Sequence, residues 1–292
     1  MGTLFISIIL LMRVVQVYFS KKTSTLFPTS FTGRMKYIAI SNGISSLPAL
    51  VLFVISMVGG GTADLQTVLI GLLSGVALAC ASLCGQLALQ SGTVVMNIVF
   101  STAGLIVPCI AGVFFFNEPM SVLQWCAIAV FIVASLLLAS SSKQSNSKFS
   151  YKTVLLCIGS FLFNGATMLC QKWLTFTNPN ANISLFSFAT FAIPAIVATL
   201  VFSLGQMKGT KETLNNKIYL PILLLAVALF IINQLATAAT NYVSSAVLFA
   251  LINGGHTIIA TIISAIFFKE KITVKSLCGL ILGIGSLLII KI

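Results

Sequence analysis

The sequence predicts an all-α polytopic membrane protein whose ten transmembrane helices are arranged as a 5+5 inverted repeat. Three observations carry this expectation: a composition unsuited to water, a succession of apolar runs each long enough to cross a bilayer, and short matches that pair the first half with the second. Charged residues are 7% and apolar residues 58% of the 292 positions. An ordinary soluble domain carries about 25% charge, so lipid is the main solvent here and no stretch is left over for a soluble domain.

Crossing a ~30 Å hydrocarbon layer takes about 20 helical residues. Runs of that kind predict spans at 2–20, 37–57, 67–89, 93–116, 121–140, 152–174, 183–204, 218–240, 244–268 and 273–291. They are too long for tilted barrel strands, and in lipid each segment has to satisfy its own backbone groups, so they are helices. Residues 2–12 lack the positive leader of a cleaved signal peptide, and the first run is expected to remain as a span.

One polar stretch, Ser140–Ser150 (SSSKQSNSKFS), interrupts the pattern near the midpoint. It predicts a first five-helix repeat over 1–142, a linker over 143–150 and a second repeat over 151–292. Self-similarity across it is collinear. FFNEPMSVLQWC at 115–126 answers FFKEKITVKSLC at 267–278 at an offset of 152, LPALVLFVIS at 47–56 answers IPAIVATLVF at 193–202, QLA at 86–88 answers QLA at 234–236, and Lys21 answers Lys172. With five helices per copy the second is inserted upside down, so the copies enclose a midplane site that rocking exposes to alternate sides.

The formal charge of +12 would point to nucleic acid in a soluble protein, but almost all the Lys and Arg residues sit in the short breaks between spans. No nucleic-acid partner is expected; the lipid bilayer is. Thirteen of these charges fall in the odd-numbered loops: Lys21, Lys22, Arg34, Lys36, Lys143, Lys148, Lys152, Lys208, Lys211, Lys217, Lys269, Lys271 and Lys275. The even side keeps Lys172 and Lys291. By the positive-inside rule the odd loops are cytoplasmic and both termini lie outside, in a plasma or bacterial inner membrane. All seven Cys lie inside apolar segments with no His, Asp or Glu nearby to complete a metal shell, which favours use as small hydrophobes.

Ten spans in two halves of five, with Phe-Phe-x-Glu closing spans four and nine (Phe115, Phe116, Glu118; Phe267, Phe268, Glu270), resemble the EamA-type drug/metabolite transporter superfamily over essentially the whole chain. The resemblance implies a permease that moves metabolites, amino acids, nucleotide sugars, sugar phosphates or drugs, commonly with proton coupling or exchange. It also implies a basket in which spans 1, 3, 4, 6, 8 and 9 line the cavity. Two features depart from relatives: the N-terminus and second loop carry no positive charge, and no acidic residue lies in a span core. The second argues against the antiport chemistry of the small multidrug proteins.

Residues that are expensive in lipid yet retained are the candidates for a substrate site. Arg13 lies roughly 12 Å from Lys21 along the first span by the 1.5 Å helical rise. Its planar fork suits a carboxylate or phosphate; the alternative is an anchor reaching back to the headgroups. Asn164 is its counterpart in the second repeat. Gln86 and Gln234, with Asn97, Asn233 and Asn253, add uncharged donors and acceptors, the alternative for each being an interhelical hydrogen bond. His256, the one His of the chain, is the candidate for proton coupling, or else a neutral His bonded to a neighbouring helix. Gly254 and Gly255 beside it could allow a discontinuous helix or a close backbone approach. Pro48 and Pro194 are paired kink sites. Glu118 and Glu270 are expected to stabilise the starts of spans five and ten, and Lys172 to anchor in headgroups or meet an anionic substrate.

No phosphate loop, metal-ligand spacing or Ser/His/acid arrangement is present, so no enzyme, cofactor or metal is expected. The expected function is secondary transport of a small polar or anionic metabolite, an amino acid or related carboxylate, by alternating access with proton coupling. Efflux of lipophilic compounds, through a cavity lined by some of the 22 Phe and eight Met residues, is an alternative. A non-transporting membrane subunit or sensor is another, and a homodimer stays open.

Overall fold

The computed structural model describes residues 1–24, 26, 30–90, 100–140, 151–207, 218–269 and 273–291. Asn97, Glu270 and the linker 143–150 lie outside them. The described residues form ten α-helices and no strand: α1 (Gly2–Ser24), α2 (Phe31–Val58), α3 (Leu65–Gln90), α4 (Ile106–Phe115), α5 (Val122–Ser140), α6 (Tyr151–Thr177), α7 (Ile183–Met207), α8 (Tyr219–Ala239), α9 (Ser245–Phe267) and α10 (Val274–Lys291). Seven are long and apolar enough to span a bilayer by themselves, and 100–115, 122–137 and 277–290 form shorter apolar helices. Large apolar side chains face outward along them, Leu11, Leu69, Leu200 and Ile281 among them. In water such a surface would aggregate; in lipid it is the solvent-facing side.

Local chemistry sets the helix ends. α2 starts six residues before the expected position because Ser30 caps it, its Oγ accepting from the Gly33 amide at 3.0 Å. Asp64 opens α3, accepting from the Thr67 amide at 2.9 Å and hydroxyl at 2.7 Å, and these bonds hold its carboxyl below the usual range. At α5 a capping box closes reciprocally: the Gln124 amide donates to Ser121 Oγ at 3.2 Å and the Ser121 amide to Gln124 Oε1 at 3.1 Å.

One backbone feature recurs at the offset of the sequence matches. Among the described residues two non-glycine residues adopt the left-handed conformation, Asn117 at φ 53° and Lys269 at φ 52°. They occupy the same place in the two Phe-Phe-x-Glu motifs. A left-handed L-residue costs roughly 1–2 kcal/mol, so its recurrence at one offset marks a common turn. The packing repeats too. Exchanging each helix for its counterpart in the other half turns the α1 contacts with α8 and α9 into those of α6 with α3 and α4, and turns α2 on α8 into α7 on α3. The pairs α2 with α7, α4 with α9 and α5 with α10 map onto themselves. This is what a two-fold relation between the halves requires.

Candidate functional site

The helices α1, α4, α5, α8, α9 and α10 meet around the largest buried cluster, which runs from Ile6 and Ile9 through Leu105 and Phe131 to Phe249 and Leu287, with Met168 of α6 packed against it. α1 and α9 run parallel. Phe5 stacks edge-on against Tyr242 at the α9 entry, at 5.8 Å, and Tyr18 meets Phe267 at the exit, at 5.3 Å. Midway, a Cβ on Gly255 would overlap the Leu10 side chain, and one on Gly254 would lie 2.6 Å from Leu287. The two glycines therefore let α1 and α10 approach α9 closely. The discontinuous helix considered above is not formed: α9 continues unbroken through Asn253–His256, since close packing, not unwinding, is the use made of these positions.

Arg13 lies at this crossing. Its Nη1 donates to Gln16 Oε1 at 2.7 Å, while Nε is buried with no hydrogen-bond partner. A stranded guanidinium donor in a membrane-spanning helix is costly. His256 is on α9, the helix packed against α1, and follows the Gly255 that meets Leu10.

Asn164 occupies the repeat-related crossing of α6 with α4. Its Nδ2 donates to the Ser160 carbonyl at 2.8 Å and to Ser101 Oγ at 3.1 Å. The backbones there nearly touch, a Cβ on Gly165 falling 2.5 Å from the Val107 side chain and 2.6 Å from the Gly104 carbonyl. Asn253, on α9, points its Nδ2 at Met168 Sδ of α6 at 3.5 Å, a weak acceptor.

The two glutamines are occupied differently. Gln86 Oε1 accepts from Arg34 Nη1 at 3.4 Å, near the odd-loop end of α3. Gln234 belongs to a chain of bonds that joins three helices of the second half. Gln171 Nε2 donates to Asn233 Oδ1 (2.8 Å), Asn233 Nδ2 to Ser187 Oγ (3.1 Å), Ser187 Oγ to Gln234 Oε1 (2.7 Å) and Gln234 Nε2 to Ser184 Oγ (2.9 Å). This seam of α6, α7 and α8 is interhelical glue. Gln171, Ser184 and Ser187 were not read from the sequence, because isolated small polar residues in apolar helices show no pattern until a partner is in place.

Glu118 corrects the sequence expectation. Its Oε2 accepts from the Ser245 amide at 2.8 Å, at the start of α9, and its Oε1 pairs with Lys172 at 2.6 Å. It does not stabilise α5, whose start is already closed by Ser121 and Gln124. Lys172 is likewise neither a headgroup anchor nor unoccupied, since it also donates to the Thr240 carbonyl at 3.0 Å. Pro48 and Pro194 sit inside continuous helices. A small apolar recess of about 10 Å³, room for no more than one water, lies beside Pro194, lined by Met35, Ile38 and Leu83 among others. None of the candidate substrate residues borders it, so it is a packing gap and not the substrate site. The seven cysteines are free thiols, with Cys126 and Cys278, at matching positions in the repeats, both on the outer surface.

Comparison with known proteins places this architecture. No curated protein matches the chain in sequence. Twenty-eight solved chains match its structure. One of them, a crystal structure of another protein, aligns with a TM-score of 0.75 over 97% of this chain and 95% of that one, at 10% sequence identity, which shows the fold alone. Residues 151–292 match the EamA-like transporter family. The second five-helix half thus carries the EamA-like transporter family match, in a multi-pass chain whose described residues form ten helices, seven of them long and apolar enough to cross a membrane.

Proposed function

We propose that the chain is a secondary carrier for a small polar or anionic metabolite, an amino acid or related carboxylate, moved by alternating access. The observation that carries this reading is Arg13: a guanidinium in a spanning helix, with a buried Nε that no protein group satisfies. A carboxylate would complete it in the planar geometry Arg favours. His256 beside it supplies the proton-coupling group. Asn253, on α9 beside α1, and Asn164, on α6, offer amides for the polar remainder of the substrate. Asn97, outside the described residues, remains part of the proposed set. Gln86 and Gln234 contribute through interhelical bonds, the second of the two readings open to them in the sequence.

Proteoliposomes containing the purified protein are expected to take up a labelled amino acid or carboxylate saturably. Arg13→Ala should lower that flux at least tenfold, and His256→Ala should abolish its dependence on a proton gradient. Unchanged transport in both variants would remove these residues from the mechanism.

The proposal extends to organisation and orientation. Residues 1–142 are read as a first EamA-like repeat, supported by the shared left-handed turn and the exchange-symmetric packing, with 143–150 as the linker. The odd-numbered loops are read as cytoplasmic from their charge. Reporter fusions at residues 1 and 150 test both together, and a finding that the two positions share one side of the membrane would rule out the inverted arrangement.

A further inference from the structure

Glu118 and Lys172 stand out once the substrate residues are set aside. They are an acid and a base from opposite halves, joined at 2.6 Å, with side chains only 16% and 12% exposed. A pair so enclosed is no screened surface contact. Around it converge four helix ends on the even-loop side: the exit of α4, the last turns of α6, the Thr240 carbonyl that ends α8 and the Ser245 amide that opens α9.

The sequence builds this clasp locally. Asn117, at φ 53°, reverses the chain after α4. The Glu118 amide then returns to the Gly112 carbonyl at 2.9 Å. Gly112 leaves the room, because a Cβ there would lie 2.9 Å from Glu118 Oε2. Phe116 packs on Phe176 of α6 at 4.9 Å and holds the two halves in register.

We propose that the Glu118–Lys172 pair is the gate at the even-loop end of the carrier, closed in this structure and broken each time the site opens to that side. The inference rests on the carrier reading above and adds gating residues to it. Two features separate a gate from a static clamp. Each charge keeps a second partner when the pair parts: Glu118 retains the first amide of α9, where the helix dipole favours an anion, and Lys172 retains the carbonyl at the end of α8, where it favours a cation. Opening therefore strands neither charge, which is what makes the rupture of a buried ion pair prohibitive elsewhere. In addition, Ser245 Oγ, beside the carboxylate, is buried with no partner. A permanent clamp would satisfy it; a moving one leaves a donor for the carboxylate to take up in its other position.

The test bridges the pair and reads two things. In the double variant E118C/K172C, oxidation is expected to lower proteoliposome flux at least tenfold, with recovery on reduction. The single variants, oxidised alongside, should keep their own rates and so account for the native thiols. Full flux through the bridged protein would overturn the gate. The second reading needs no substrate: modification at position 253 of an N253C variant by a membrane-impermeant maleimide, applied from the even-loop face and followed by mass spectrometry. It should rise several-fold when E118Q is added and stay at the N253C level with K172R, which keeps the pair. Modification no higher in the E118Q background would also overturn the gate. If accessibility responds as expected while no amino acid or carboxylate is transported, the gate stands and the proposed substrate class fails.

Discussion

The crossing of α1 with α9 and the crossing of α6 with α4 are the same contact made twice, and they differ in what they hold. At α6–α4 everything is satisfied: Asn164 donates to its own helix and to Ser101, and Gly165 lies against Val107 and the Gly104 carbonyl with no room to spare. At α1–α9 the geometry persists but the chemistry does not. Arg13 stands where Asn164 stands, its Nε unpartnered, and His256 stands where the other copy has Gly104. The glycine contact is softer as well, since Gly255 faces the far end of the flexible Leu10 side chain. One copy has been optimised for packing; the other carries groups that packing alone does not explain. Duplicated geometry with diverged chemistry points to the α1–α9 crossing as the working one.

The largest effect that would sharpen this contrast is steric. Gly165→Ala pushes a methyl into backbone and a β-branched side chain, and overpacking of that kind costs about 1–3 kcal/mol. Gly255→Ala asks only a leucine tip to move. Thermal unfolding in detergent should show a clear loss for the first and little for the second; equal losses would mean that the two crossings are packed alike. Next comes charge. Arg13→Met removes a buried guanidinium in favour of an apolar chain of similar length, so stability is expected to hold or rise, while transport falls tenfold or more, equivalent to about 1.4 kcal/mol. A variant that loses stability and transport together would instead mark Arg13 as an anchor. The smallest effect belongs to Asn164→Ala, which deletes interhelical bonds worth about 0.6 kcal/mol on average in membranes. Its cost should appear in unfolding, with a loss of flux well below that of Arg13→Met; an equal, tenfold loss would mean that the two crossings share the transport work alike.

Much of the fold was legible before any coordinate. The ten spans correspond to the ten helices because lipid permits little else for such runs, and the Phe-Phe-x-Glu repeats located the duplicated turns that Asn117 and Lys269 make. The capping box Ser121–Gln124 was equally readable as Ser-x-x-Gln, and reading it would have freed Glu118 from the start of α5. What local pattern could not supply was partnership. Glu118 and Lys172 are 54 positions apart and Gln171 and Asn233 are 62 apart; an apolar sequence carries no periodic signal that says which polar groups will meet.

The chain by itself therefore determined its solvent and its helices, since each follows from the cost of exposing backbone and charge to hydrocarbon. Tertiary structure decided which costly groups are answered and which are left waiting. Helix crossings set those pairings over distances no segment can sense, so only the folded bundle separates a satisfied Glu118 from an unsatisfied Arg13.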